Sequence, residues 1–352
     1  ELPTETRIEF LSTLQSTLPG SLKTESKVMF TVTGADACEA AVSLARHVTR
    51  RRTIIAFSGA YHGIHGGIVE MTASRHYREY SSFGSGGVYH LPYPYAFRFP
   101  FHVKKGDEAS VVMDMLRSVT DDPYSGVDPV AGVIVEPVQG EGGYIIPPDD
   151  FLPMLREFTE ERGIPLILDE VQTGVGRTGQ IWAAENAHIE PDIMCISKAI
   201  GGGIPLSLIA YRKEYDEGLP HGFHLGTYRG NPVAMAAGTA ILSELKKGEI
   251  LSKVRSRGEK IRSFFEEMAS ESSLVGDVRG RGFMIGVELV RDGLKPATEE
   301  ARKLRTSLFR RGVLMHTCGH YGNVMRFMAP LTIEEELIEK GLQEFREAVL
   351  FG

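Results

Sequence analysis

Short apolar runs alternate with helical patterns over the first two thirds of the chain, and this alternation constrains the fold more than any other feature. Runs rich in Val, Ile and Leu predict six strands, at residues 27–33, 53–57, 131–136, 165–169, 193–197 and 206–211. Helical patterns lie between them, at residues 35–48, 107–119 and 149–162. Strands that alternate with helices are typical of a mostly parallel sheet covered by helices.

The pattern changes after Pro232. A long helical region from 233 to about 270 precedes two strands in "GDVRGRGFMIGVELV", and a helix from about Thr298, a strand at 324–327 and a final helix follow. This order predicts a smaller α+β domain. We therefore expect an α/β protein with a large sheet domain at residues 1–245 and a small C-terminal domain at residues 246–352.

Composition narrows the class of partner. The net charge of -7 and the sequence pI of about 5.9 argue against a nucleic-acid or anionic-membrane binder and favour small-molecule substrates. No apolar run is long enough to cross a bilayer, and no signal-peptide pattern opens the chain. Three cysteines without CxxC spacing predict a reducing, cytoplasmic setting. Because the chain opens on Glu1 instead of Met, we expect that a natural amino-terminal segment is missing.

Ligands of open α/β sheets collect at the carboxyl ends of the strands, so residues just after each strand are the candidates for chemistry. Lys198 ends the run "DIMCIS" and precedes "AIGGG". We expect its amine to be partly desolvated and nucleophilic, and a Schiff base would remove the cost of keeping its charge there. The glycines after it would let backbone approach a ligand closely.

Asp169 ends the strand "PLILD", which has no earlier polar residue. Its carboxylate is expected to be withdrawn from water and paired with a protonated ring nitrogen or a basic side chain. Capping of the following turn is the second interpretation.

Two glycine-containing turns follow earlier strands. In "TGADACEAA", Gly34 and Ala35 open a helix whose backbone N–H groups could hold a phosphate. In "FSGAYHGIHGG", Tyr61 could lie flat over a planar ligand, beside His62. A loop aromatic that covers the core is an equally good interpretation of Tyr61. His62 is interpreted as a loop or pocket residue, and no metal site is expected.

Acidic and basic residues at later positions complete the set. Glu136 and Glu141 cluster with a glutamine in "IVEPVQGEGGY", which needs a nearby donor or cation unless the turn is solvated. Arg326 is the one charge inside the strand of "NVMRFMAPLTI" and must meet a protein or substrate carboxylate. Thr227 in "LGTYRGNPVA" could bind phosphate. Together these residues describe a ligand with a phosphate, a flat ring, a ring nitrogen and an aldehyde, which is pyridoxal 5'-phosphate.

The ordered set "TGADACEAA", "AYHG", "EPVQGEGG", "LDEVQTGVGRTG", "SKAIGGG", "GTYRGNP" and "VMRFMAPLTI" resembles the class III, or omega, aminotransferases of fold type I, over essentially the whole chain. The resemblance implies that Lys198 binds the cofactor aldehyde and carries the proton, and that Asp169 pairs with the pyridinium nitrogen. Tyr61 would stack on one face of the ring, with Val171 on the other and Gln172 near the ring hydroxyl.

The resemblance also places other residues. Gly34 and Ala35 would hold the phosphate, with Thr227 contributed by the partner subunit of a homodimer that shares its active sites. Glu136 and His62 belong to the cofactor pocket. Arg326 would bind a substrate carboxylate, and Glu141 would pair with it when an amine without a nearby carboxylate enters.

Within the class, "YHLPYPYAFRFPF" and "GTYRGNP" look most like the diaminobutyrate-2-oxoglutarate aminotransferases, which carry an arginine matching Arg229. This predicts transfer of the terminal amine of a diamino acid to or from 2-oxoglutarate and glutamate. Ala329 departs from the family pattern, which has a second proline there. A racemase or decarboxylating relative remains the alternative enzyme, and a catalytically silent binding protein of the same fold is the alternative from another class.

Overall fold

A computed structural model describes residues 3–79 and 86–351, and these divide into two units. The first holds the described residues up to Pro137 together with Pro147–Val175 and Ile181–Lys247. The second holds Val138–Ile146, Gly176–Gln180 and residues 248–351. The division at residue 245 expected from sequence stays a prediction. No helix in these ranges is both long and apolar enough to cross a membrane.

The first unit is built on a seven-stranded sheet with the order β1-β7-β6-β5-β4-β2-β3. Its strands are β1 (Ser26–Thr31), β2 (Thr53–Phe57), β3 (Val88–Leu91), β4 (Val130–Val135), β5 (Leu166–Asp169), β6 (Ile193–Ile196) and β7 (Ser207–Arg212). The five strands from β6 to β3 pair in parallel, and β7 is antiparallel to both of its neighbours. The predicted mostly parallel α/β sheet is confirmed.

The helices of this unit are α1 (Glu5–Gln15), α2 (Gly34–Thr49), α3 (Arg75–Arg78), α4 (Glu108–Asp121), α5 (Phe151–Glu161), α6 (Ala184–Ala187) and α7 (Pro232–Lys246). Helix α2 buries a face made mostly of alanines in one cluster with sheet residues such as Ile54 and Ile167. Small side chains let a helix lie close to a sheet. The start of α2 is capped by Thr33, whose hydroxyl accepts from the Asp36 amide.

The second unit contains an antiparallel sheet of β8 (Val275–Arg281), β9 (Met284–Arg291), β10 (Lys295–Pro296), β11 (His316–Cys318) and β12 (Val324–Phe327). Its helices are α8 (Glu249–Glu271), α9 (Thr298–Arg310) and α10 (Glu335–Phe351). Phe265, Phe283 and Phe345 are fully buried in its core.

The predicted strand β2 and the strand at 324–327 have the bounds expected from sequence, and the other five strands shift by one or two residues. The long helical region is two helices, α7 and α8, because Gly248 between them adopts φ 83, which a continuing helix cannot accommodate. Sequence patterns did not indicate α1, β3 or β11. The two strands are only four and three residues long, too short to show a periodicity.

Candidate active site

The carboxyl ends of β2, β4, β5 and β6 lie along the same end of the sheet, because these strands run parallel. Four groups of predicted residues follow these ends within the first unit. Tyr61 and His62 come after β2, Glu136 follows β4, Asp169 closes β5, and Lys198 comes two residues after β6. The sheet topology therefore gathers residues from four separate sequence motifs.

Asp169 is buried, with 4% of its surface exposed, and both carboxylate oxygens are held. Its Oδ2 lies 2.7 Å from His62 Nδ1 and accepts from the Cys38 thiol at 3.4 Å. Its Oδ1 accepts from the Val171 amide at 3.0 Å. The carboxylate thus caps its own turn, as the second interpretation expects, and also lies beside a ring nitrogen of His62. Its pairing with a cation stays a prediction.

Cys38 is a residue of this site that sequence reasoning did not assign to it. A hydrogen bond with Cys195, then burial and the negative charge of Asp169, raise the pKa of the Cys38 thiol well above its usual value. The thiol is therefore a neutral donor that orients the carboxylate. The available signal was its position four residues after Gly34, one helical turn along the buried face of α2.

Cys38, His62 and Asp169 place three metal-ligating atoms within 4.8 Å of one another. A thiol binds metals as the thiolate, and the raised pKa of Cys38 opposes that form. We interpret the cluster as a hydrogen-bonded carboxylate. The expectation that the site holds no metal stays a prediction.

Lys198 adopts φ 51, a left-handed conformation that is rare for a residue with a side chain. Such strain is found mostly where function requires a particular side-chain position. Lys198 is exposed, because the backbone leaves the buried strand β6 at this point and turns into the short 3₁₀ helix Lys198–Gly201. Partial desolvation of its amine stays a prediction.

Close packing surrounds the start of α2. A Cβ atom built on Gly34 would lie 2.7 Å from a methyl group of Val171, and one on Gly63 would lie 2.4 Å from the Cβ of Ala35. Neither glycine can carry a side chain without movement of its neighbour. Gln172, in the loop after β5, has a buried Oε1 atom that finds no partner in the described parts of the chain. A ligand hydroxyl would satisfy it.

Tyr61 and Glu136 are linked directly. The Tyr61 amide donates to Glu136 Oε1 at 2.9 Å, and Glu136 is 5% exposed. The interpretation that Glu136 lies on a solvated turn is therefore wrong. The Tyr61 ring packs edge-on against the Tyr77 ring, with 5.1 Å between the ring centroids. This aromatic contact holds the Tyr61 ring from one side.

The second unit contains the other predicted pair. Arg326 on β12 donates to Glu141 at 2.5 Å, and the Glu141 carbonyl accepts from the Gly319 amide. Burial lowers the pKa of Arg326, but the charge and hydrogen bond of Glu141 outweigh it and leave the pKa raised. The requirement that Arg326 meets a carboxylate is satisfied by Glu141.

Thr227 is exposed on the loop between β7 and α7. Two neighbours on this loop, His224 and Arg229, contact the Asp36 carboxylate in the first turn of α2. The sequence had left the role of Arg229 open.

Known proteins are similar to this chain over almost its whole length. Residues 2–349 match the family model described as Aminotransferase class-III. The chain is 39% identical over 349 residues to a diaminobutyrate–2-oxoglutarate aminotransferase of Rhizobium meliloti (strain 1021), covering 97% of this chain and 74% of that protein. It is 33% identical over 327 residues to a leucine/methionine racemase of Thermococcus litoralis, covering 92% and 73%. The crystal structure of an amine transaminase from an uncultivated Pseudomonas species, in its PLP-bound form, has a TM-score of 0.84 at 25% identity, covering 99% and 87%.

Proposed function

Because the chain belongs to the class III aminotransferases, we propose that it transfers the terminal amino group of a diamino acid such as 2,4-diaminobutyrate to or from the 2-oxoglutarate and glutamate pair. The family implies an amino donor and a 2-oxo acid as substrates. The observation that carries the proposal is the carboxylate of Asp169, fixed on both oxygens at the sheet end from which Lys198 also emerges.

Class III aminotransferases depend on pyridoxal 5'-phosphate, and the residues of the first unit fit this cofactor. The unpartnered Gln172 oxygen suits the ring hydroxyl, and the start of α2 at Gly34 and Ala35 suits the phosphate. Tyr61 and Val171 are proposed for the two ring faces. When bound, the cofactor supplies an aldehyde that takes up an amino group and a ring that withdraws electrons from the substrate carbon.

In this proposal the chain positions charge and moves one proton. Asp169 would stabilise the positive charge of the cofactor ring nitrogen, and His62 and Cys38 keep the Asp169 carboxylate in one orientation. Lys198 would hold the cofactor through its aldehyde, and its Nζ would carry the proton that leaves the substrate carbon. The left-handed backbone at Lys198 supports this role, because such strain is found mostly at functional positions.

The Arg326–Glu141 pair is proposed to select substrates. When glutamate or 2-oxoglutarate enters, Arg326 binds its carboxylate and Glu141 is displaced. When the terminal amine of a diamino acid enters, the substrate carboxylate is remote from the reacting amine, so it does not reach Arg326 and the pair stays closed. A partly buried guanidinium then keeps an anionic partner in each half-reaction.

The test is an absorbance titration of the cofactor-loaded protein, first with glutamate and then with 2,4-diaminobutyrate. We expect each donor to shift the cofactor band to shorter wavelength and added 2-oxoglutarate to restore it. Lys198→Ala should abolish both shifts, whereas Lys253→Ala, at an exposed lysine on α8, should change neither. Arg326→Gln should weaken the response to glutamate more than the response to diaminobutyrate. A response to glutamate alone would contradict the substrate and leave the class intact.

A racemase is the second candidate, because one relative at 33% identity is a leucine/methionine racemase. Racemisation also begins with loss of a proton from a carbon that bears an amine, here the α-carbon, and Lys198 could take up that proton as well. Product analysis separates the two: inversion of an amino acid without a 2-oxo acid supports the racemase, and transfer that requires the 2-oxo acid supports the aminotransferase.

A further inference from the structure

The first turn of α2 carries a carboxylate where the proposed function needs an anion to bind. Asp36 lies two residues after Gly34, and its Oδ2 accepts from the Val32 amide at 2.9 Å. With Thr33 bonded to the Asp36 amide, Gly34 and Ala35 remain the donors of this turn. A phosphate there would be repelled by Asp36 unless that charge were compensated.

Arg229 and His224 supply the compensation. Arg229 NH2 donates to Asp36 Oδ1 at 2.8 Å, and His224 Nε2 lies 2.9 Å from the same oxygen. The guanidinium is therefore within hydrogen-bonding distance of the first turn of α2, although Arg229 is 193 residues from Asp36 in the chain.

The other terminal nitrogen of the same guanidinium is the informative atom. Arg229 NH1 is buried and finds no hydrogen-bond partner within the described residues. The guanidinium is paired with Asp36 through NH2, but a buried N–H donor without an acceptor still costs free energy. An arginine fork can bind one anion with each arm, and phosphate oxygens match it well.

We infer that Arg229 is a phosphate-binding residue of the cofactor site, held in place by Asp36 through NH2 and donating through NH1 to the phosphate at the start of α2. Asp36 is then a positioning residue. Its negative charge repels the phosphate, but the Arg229 guanidinium that it orients offsets this repulsion. The inference rests on the proposed function, since it takes pyridoxal 5'-phosphate as the ligand.

The test compares dissociation constants for pyridoxal 5'-phosphate and for pyridoxal, which lacks the phosphate, in the cofactor-free protein. The ratio of the two constants measures the preference for phosphate. Arg229→Gln should reduce this preference at least about tenfold, the usual value of one charge-assisted hydrogen bond, and leave pyridoxal binding unchanged. Tyr228→Ala, at the exposed neighbouring residue, should leave the preference unaltered.

Asp36→Asn distinguishes direct binding from a structural role. If NH1 binds phosphate, Arg229→Gln still lowers the preference in the Asp36→Asn background. If Arg229 serves only to neutralise Asp36, the loss disappears in that background and the inference is overturned.

Arg229→Lys keeps a charge and provides the measurement if the glutamine variant does not fold. A single ammonium cannot retain the two-armed geometry, so a several-fold loss of preference is expected. An unchanged preference would overturn the assignment. If the wild-type protein binds neither compound, the proposed function itself fails; if it prefers the phosphate and the variants do too, only the inference about Arg229 fails.

Discussion

At the scale of single residues, Glu170 makes the stability of the fold depend on pH. It follows Asp169, is fully buried, accepts from the Ala184 amide at 2.8 Å and is bonded by the Thr173 hydroxyl. Burial raises the pKa of Glu170 from 4.5 to about 7, against the opposing hydrogen bonds from Thr173 and Ala184. The folded state therefore holds a proton that the unfolded state releases at lower pH.

The sign of the effect follows from linkage. The contribution of Glu170 to stability is fully present below about pH 4.5 and is lost as pH rises through about 7, a change on the order of 3 kcal/mol. Glu170→Gln keeps a similar shape and removes the titration. We expect the variant to lose less free energy of unfolding than the wild type between pH 5 and 8, measured by urea denaturation. Parallel pH profiles for the two proteins would contradict this assignment.

A second prediction at this scale concerns the effect of the Tyr144 hydroxyl on stability. Its side chain is fully buried against Val138 and Met284, and its hydroxyl finds no partner among the residues that the structure describes. Tyr144→Phe removes this unsatisfied group and keeps the ring, so it should stabilise the fold by about 1 kcal/mol. Tyr144→Leu, which also loses packing, should destabilise it. Thermal unfolding measures both, and a Phe variant less stable than the wild type would show that the hydroxyl is satisfied.

At the scale of elements, two helical glycines of the second unit offer a matched comparison. A Cβ atom on Gly258 in α8 would lie 2.5 Å from the carbonyl oxygen of Gly282, which is backbone and cannot easily move. A Cβ atom on Gly341 in α10 would meet nothing within 4 Å. One position is glycine because helix and turn touch, and the other has no packing reason to be glycine.

The two alanine substitutions should therefore have opposite effects. Gly258→Ala forces the helix and the β8–β9 turn apart and should cost roughly 1–3 kcal/mol. Gly341→Ala should stabilise the protein by about 0.5–1 kcal/mol, because alanine loses less backbone entropy in a helix. Chemical denaturation of both variants is the measurement. Equal effects would mean that α8 does not approach Gly282 as closely as described.

At the scale of the whole molecule, the proposed homodimer with shared sites has a testable consequence. If Thr227 serves the partner subunit's cofactor, a Lys198→Ala subunit paired with a Thr227→Asp subunit has one site with both defects and one with neither. Each homodimer should be inactive: the Lys198→Ala homodimer lacks the lysine at both sites, and in the Thr227→Asp homodimer the aspartate repels the phosphate at both sites. Refolding an equal mixture should recover about a quarter of wild-type activity, as random pairing in a two-fold dimer predicts. No recovery would mean that Thr227 acts within its own subunit.

The sequence by itself determined most of the elements and the candidate chemistry. Apolar runs of strand length predicted the strands that form the sheet, and a lone charge at the end of such a run, as at Asp169, or inside one, as at Arg326, marked a residue that needed a partner. These inferences succeed because burial of an unpaired charge is costly in any fold.

Tertiary structure alone decided which partners those residues have. Cys38 and His62 reach Asp169 across 131 and 107 residues, and Arg229 reaches Asp36 across 193. Local patterns report which faces are apolar, but the order of strands in the sheet decides which loops meet at its carboxyl end. The exposure of Lys198 has the same origin, since it depends on where the backbone leaves β6 and on no property of the lysine itself.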